Sequence, residues 1–199
     1  YLENFVQSTF NALGGVRGKA LALGGDGRYF NREALQIILS LAAANGVSRV
    51  LVGRGGILST PAASHIIRKN RLDGGFILSA SHNPGGPDGD FGIKFNAANG
   101  GPAPEQLTEA IFQQSLKIDH YLTLGKITID LDQNGRQKLE SLTIEVIDPV
   151  ADYADLMTEM VGEFTTHAPA QTGWLRQMED GGWLVEGSAL VRQINRKLG

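Results

Sequence analysis

No cysteine occurs anywhere in the chain. Disulfides, thiolate nucleophiles and cysteine-ligated zinc are therefore excluded, and a reducing, cytoplasmic setting is the expectation. Neither sign of charge dominates: 18 basic against 21 acidic residues give a formal net charge of −3, and the two signs are intermixed. With no basic stripe or arm, nucleic acid is not expected as a partner, and any phosphate must be met by local geometry rather than by bulk charge. No apolar run approaches the ~18 residues that a membrane span needs. Tyr1 to Leu13 is amphipathic and lacks the charged start and apolar block of a signal peptide. What remains is an ordinary globular balance, 42% hydrophobic and 20% charged over 199 residues, with room for one domain or one domain plus a fragment. There is no initiator Met and the sequence opens inside a helical pattern, as expected of an excerpt.

Strands and helices alternate. Residues 1–13 put Leu2, Phe5, Val6, Phe10 and Leu13 on one helical face. A short apolar strand, Lys19–Leu23, ends in Gly24-Gly25-Asp26-Gly27. Asn31 is the expected cap of a second helix, with Ala34, Leu35, Ile38, Leu41 and Ala42 inward and Gly46 as its stop. Val50–Val52 is a second strand, Thr60-Pro61 opens a third helix with threonine as N-cap, and Phe76–Leu78 is a third strand. Further strands are expected at 92–96, 126–131 and 142–147, a helix at about 104–117, and a last helix from Asp148-Pro149 to about Met160. This is an α/β pattern: a mixed, mainly parallel sheet with helices on both faces. Ligands of such sheets sit at the carboxyl ends of the strands, where the sequence places its unusual loops, 24–30, 53–60 and 79–90.

The richest of these runs Ser79-Ala80-Ser81-His82-Asn83-Pro84-Gly85-Gly86-Pro87-Asp88-Gly89-Asp90-Phe91-Gly92-Ile93-Lys94-Phe95-Asn96. A serine just after a buried strand is exposed at the sheet edge, where a phosphate can ride on it. Small Ala80 and the glycines let a substrate approach, and Pro84 fixes the turn. His82 and Lys94 offer positive or proton-transferring groups, and phosphoryl transfer mainly requires positioning and charge stabilisation. Residue types alone leave open a plain glycine-rich surface loop. His65 reads as a surface or packing histidine, and His120 suits a helix C-terminus. Asp88 and Asp90 read as turn residues, and Asp130 and Asp132 as the solvated edge of a strand.

The segment resembles the phosphoserine loop of the α-D-phosphohexomutase superfamily, usually Thr-Ala-Ser-His-Asn-Pro, and its continuation resembles the phosphoglucomutase branch. The resemblance covers about residues 1–158. It includes Tyr1-Leu2-Glu3-Asn4-Phe5-Val6-Gln7-Ser8, Gly24-Gly25-Asp26-Gly27-Arg28-Tyr29-Phe30, Gly56-Ile57-Leu58-Ser59-Thr60-Pro61-Ala62 and Asn99-Gly100-Gly101-Pro102-Ala103-Pro104-Glu105. It implies that Ser81 is the phosphorylated serine and, through its phosphate, a ligand of Mg²⁺. It implies that His82 and Lys94 are basic groups near the transferring phosphate, one of them helping proton transfer. Ser79 replaces the usual threonine and keeps a hydroxyl; with Asn83 and Arg28 it is a candidate phosphate- or substrate-binding group. Arg28 is equally a loop brace or a ligand contact. The implied substrates are glucose phosphates, with glucose 1,6-bisphosphate as activator.

The same resemblance implies four domains around a cleft. The family's first strand, its Asp-rich metal loop, its sugar loop and its C-terminal phosphate clamp have no counterpart in this sequence. The remaining mutase domains are thus implied as partners, and the chain alone is expected to be inactive or nearly so. From about Glu159 the pattern changes. Glu159–Phe164, Glu179–Ser188 and Val191–Gly199 resemble the end of the CBS module and the start of the transporter-associated domain of magnesium and cobalt efflux-type proteins. Residues 159–199 are expected to be a small, incomplete α+β tail, with a strand–turn at 181–188 and a helix at 188–198. They leave a second reading open: a non-catalytic binding or regulatory fragment.

Overall fold

The structure, a computed structural model, describes residues 1–148, 175–177 and 183–185. The chain divides into two units, Tyr1–Met157 and Thr158–Gly199. In the first, α1 (Leu2–Ala12), β1 (Ala20–Gly25), α2 (Asn31–Ala44), β2 (Arg49–Ile57), α3 (Thr60–Lys69) and β3 (Gly74–Leu78) follow one another. Then come β4 (Ile93–Ala97), α4 (Glu105–Ser115), β5 (Gly135–Leu139) and β6 (Leu142–Ile147). They build one six-stranded sheet in the order β4-β3-β1-β2-β6-β5. The four central strands are parallel, and the two edge strands, β4 and β5, run antiparallel to their neighbours. The mixed, mainly parallel sheet expected from the sequence is the sheet observed.

Period-two alternation sends side chains to two cores. Leu21, Leu23, Val50, Val52, Phe76, Leu78 and Phe95 face α1 and α2, where Val6, Phe10, Leu35 and Ile38 meet them. Ala22, Leu51 and Ile77 face α3 through Ala62, Ala63, Ile66 and Ile67. α4 packs on α1. Phe76 is the hub of the larger core, with edge-on contacts to the rings of Phe5, Phe10 and Phe95. All five inward residues expected of α2 are buried, and Gly46 ends the helix with φ +80°.

Three local expectations are corrected. Ser59, not Thr60, caps α3: its hydroxyl accepts from the Ala62 N–H at 3.3 Å, which leaves Thr60 and Pro61 as the first helical residues. Phe30, in the left-handed region at φ +68°, occupies the N-cap of α2. Asn31 is the first helical residue, and its buried amide instead donates to the Gly56 carbonyl at 3.2 Å. Residues 126–131 are not a strand. Ile129 and Leu131 are buried as a strand's would be, but their backbone bonds go to a side chain of α2 and to a bulge in β2. The Gly55 N–H donates to the Leu131 carbonyl at 2.6 Å. The place beside β6 is taken by β5, absent from the sequence reading.

In the second unit, β7 (Leu175–Gln177) pairs antiparallel with β8 (Trp183–Val185). The first was not foreseen; the second falls in the expected strand–turn. The helices expected at 149–160 and 188–198 lie outside the described residues. Among the described residues no helix is long and apolar enough to cross a membrane.

Candidate active site

The carboxyl ends of β1, β2 and β3 lie side by side, and the longest of their three loops leaves β3. Ser79 continues the β3–β4 ladder one step beyond Leu78, its N–H donating to the Gly92 carbonyl at 2.9 Å. Gly92 is required by this close approach, since a Cβ there would lie 2.3 Å from the Ser79 carbonyl oxygen. The excursion from Ser79 to Gly92 is thus closed at its base.

Ser81 sits at the start of that excursion, exposed, with φ +58°. Serine rarely adopts this left-handed conformation, which costs about 1 kcal/mol or more and persists where the surroundings hold it. Its N–H donates to the Ser79 hydroxyl at 3.2 Å. Further along, the Asn83 amide donates to an Asp90 carboxylate oxygen at 2.7 Å, and the Asp90 N–H donates to the Pro84 carbonyl at 2.9 Å. These bonds draw the two limbs of the loop together.

Arg28 ties this loop to the end of β1. Its Nε and Nη2 donate to the Asp26 carboxylate at 2.8–3.0 Å. Its Nη1 donates to the Asp90 carbonyl at 2.5 Å, and Nη2 reaches the Ser81 carbonyl at 3.4 Å. The Arg28 side chain is only 8% exposed, so the guanidinium spends its donors on protein groups. Asp26 is itself fixed by its N–H, which donates to the Leu78 carbonyl at 3.0 Å. Hydrogen bonding from the Arg28 guanidinium holds the Asp26 carboxyl below its ordinary value. The Asp26 carboxylate in turn raises the Arg28 guanidinium above its own.

Of the residues singled out in the sequence, the loop brings Ser79, Ser81, Asn83 and Arg28 into one hydrogen-bonded network. His82 and Lys94 stand outside it and are exposed. Lys94 lies on β4 opposite Ile77, so it shares the α3 face of the sheet. His65 is buried on α3, and His120 lies beyond the end of α4, its Nδ1 2.5 Å from the Asp119 carboxylate. Asp26 was not singled out. Its place two residues before Arg28 in a Gly-Asp-Gly-Arg run is a readable signal for a carboxylate–guanidinium pair. Asp90, read as a turn residue, is the far anchor of the network. Phe30 and Phe91 meet edge to face at 5.6 Å and open onto an apolar cavity of about 490 Å³, lined also by Tyr1, Leu2, Phe5 and Ile93.

The described residues do not by themselves fit Mg²⁺. No group of three or more His, Cys, Asp or Glu among them could hold a metal ion. The carboxylates of the Ser81 network are engaged, Asp26 by Arg28 and Asp90 by Asn83. One phosphate oxygen cannot supply a near-octahedral shell.

A family model for the phosphoglucomutase/phosphomannomutase alpha/beta/alpha domain I matches residues 1–122, and the chain belongs to that family. A phosphoglucomutase of Rhizobium radiobacter is 52% identical over 199 residues, 100% of this chain and 36% of that protein. One of Schizosaccharomyces pombe is 53% identical over 161 residues, 80% of this chain and 29% of that protein. The crystal structure of the exocytosis-sensitive phosphoprotein pp63/parafusin, a phosphoglucomutase from Paramecium, superimposes in its open form with a TM-score of 0.74 at 48% identity. That match covers 80% of this chain and 31% of the Paramecium chain. This chain therefore spans about a third of the length of these relatives. The Rhizobium alignment takes in residues 159–199, the part that by sequence resembled efflux-type proteins.

Proposed function

We infer that the chain carries the phosphoserine of a phosphoglucomutase, which interconverts glucose 1-phosphate and glucose 6-phosphate through glucose 1,6-bisphosphate. The observation that carries this reading is Ser81: an exposed serine, held in a left-handed conformation, on a closed loop at the carboxyl end of a parallel sheet. In the first half-reaction the sugar's 6-hydroxyl oxygen attacks the phosphorus on Ser81. The new P–O6 bond forms as the P–Oγ bond breaks, and the proton lost by the hydroxyl balances the one taken up by Oγ. Lys94 or His82 is the group that handles it. After the bisphosphate reorients, Oγ attacks the C1 phosphate, the P–O1 bond breaks, and O1 receives the proton. Ser79 and Asn83 line the phosphate-carrying loop, and Arg28 braces it from the protein side.

The family resemblance implies Mg²⁺, with the Ser81 phosphate as one ligand. Its other ligands, the sugar site and the second phosphate site belong to the remaining mutase domains. Turnover by this chain alone is accordingly expected to be negligible, because preorganised charge supplies most of the rate. A cytoplasmic setting is part of this reading; the Arabidopsis thaliana relative is named chloroplastic. The test is incubation with labelled glucose 1,6-bisphosphate in the presence of the completing domains. One phosphate is expected on Ser81. A Ser81→Ala chain that takes up the same label would sink the assignment, and turnover by the lone chain within tenfold of a full-length relative would sink the incompleteness.

A further inference from the structure

The Ser81 conformation is costly for a residue with a side chain, so something must hold it. Two arms reach it, one from Ser79 at the base of the loop and one from the end of β1. The Ser79 hydroxyl accepts the Ser81 N–H at 3.2 Å. The Arg28 guanidinium, buried against the Asp26 carboxylate, reaches the carbonyl of Ser81 at 3.4 Å and that of Asp90 at 2.5 Å. Both peptide groups of Ser81 are thus held, the N–H by Ser79 and the C=O by an arginine anchored on the carboxylate at the end of β1. The parallel register, Gly25 beside Leu78, puts that carboxylate next to the loop.

We propose that Asp26, Arg28 and Ser79 are positioning residues that set the backbone of Ser81, the Ser79 hydroxyl holding its N–H and the Arg28 guanidinium, anchored on the Asp26 carboxylate, holding its C=O. This rests on the reading of Ser81 as the phosphate carrier, but its consequence is structural and measurable without phosphate. It also states what position 79 requires: a hydroxyl oxygen that accepts the Ser81 N–H. Serine and threonine meet that requirement; valine, of threonine's shape, does not.

The test uses the ¹⁵N-labelled chain and two readouts at Ser81: amide hydrogen exchange, and the coupling between the amide proton and Hα, which follows φ. Ser79→Thr is expected to keep both. Ser79→Val is expected to speed exchange about fivefold, the effect of losing one ordinary hydrogen bond, and to move the coupling away from its left-handed value. Asp26→Asn shifts both in the same direction by less. The amides of Leu23 and Val52 report the core and keep the parent's protection. If Ser79→Val loses that protection, Ser79→Ala replaces it in the comparison. Equal exchange and coupling at Ser81 in the threonine and valine variants overturns the proposal. The phosphate label separates this from the mutase reading. Expected exchange with no label on Ser81 defeats the mutase reading and upholds the positioning. Unchanged exchange with labelling as fast in Ser79→Val as in the parent defeats the positioning and upholds the mutase reading.

Discussion

The side-chain amide of Gln36 pairs with Ile129 as a neighbouring strand would: its Nε2 donates to the Ile129 carbonyl at 2.9 Å and its Oε1 accepts the Ile129 N–H at 2.8 Å. One residue of α2 thereby satisfies a segment that belongs to no sheet. Replacing Gln36 with Leu keeps the helix and removes both partners. The expected cost is about 1–3 kcal/mol, because two half-buried backbone groups lose their bonds. Chemical denaturation measures it, and exchange at the Ile129 amide should quicken more than exchange at Leu39 in the same helix. Equal quickening at both sites would mean the pairing is incidental.

Phe76 is 1% exposed and touches three other rings. Phe76→Ala should cost about 3–5 kcal/mol, the sum of lost transfer free energy and the cavity left behind. Phe91→Ala removes a ring that is 37% exposed and should cost far less. Urea melts of the two variants decide the order.

Acid should weaken the brace on the Ser81 loop. The Asp26 carboxyl is held below its ordinary value of 3.8, first by hydrogen bonding from Arg28. Its contribution to stability is therefore fully present above its unfolded value and is lost as pH falls through its folded one. The contribution is modest, since the Asp26 side chain keeps 31% of its exposure. The parent should exceed Asp26→Asn in stability at about pH 5, and the gap should close toward about pH 2. A gap that widens on acidification would reverse the sign and refute the assignment.

The two units should part under protease. Residues 162–173 show no hydrophobic period, 174–199 read by sequence as one strand and one amphipathic helix, and there is no cysteine to staple them. Limited proteolysis followed by mass spectrometry should give early cuts between 160 and 175 and a surviving fragment close to 1–158. Cuts that begin within 19–96 while the tail persists would place the stable unit elsewhere.

Much of the fold is legible in the sequence because the central strands carry the signal twice, in their apolar runs and in the helices between them. Leu21, Val50 and Phe76 could be read as strand residues without knowing their partners. The edges were less legible. Ile129 and Leu131 alternate like a strand, but Gln36 and Gly55 supply the bonds that a ladder would. β5, Gly135–Leu139, is polar and exposed along most of its length, so no apolar period marks it. In the candidate site the serine, histidine and lysine stand in a recognisable run. The left-handed turn at Ser81 does not show, since a non-glycine residue there carries no compositional mark. Nor could the sequence say whether Arg28 faces a ligand or the protein: that depends on Asp90, 62 positions away along the chain.

The bond between Ser79 and Gly92 sets when the Ser81 loop becomes ordered. A loop left open at its base must be gathered each time a reactant arrives, and that ordering entropy then enters the activation barrier. Here the strand ladder itself closes the loop, so the ordering falls on folding, once per molecule instead of once per turnover. The sheet acts as a stored orientation, and a phosphoryl group on Ser81 would begin every cycle already aimed.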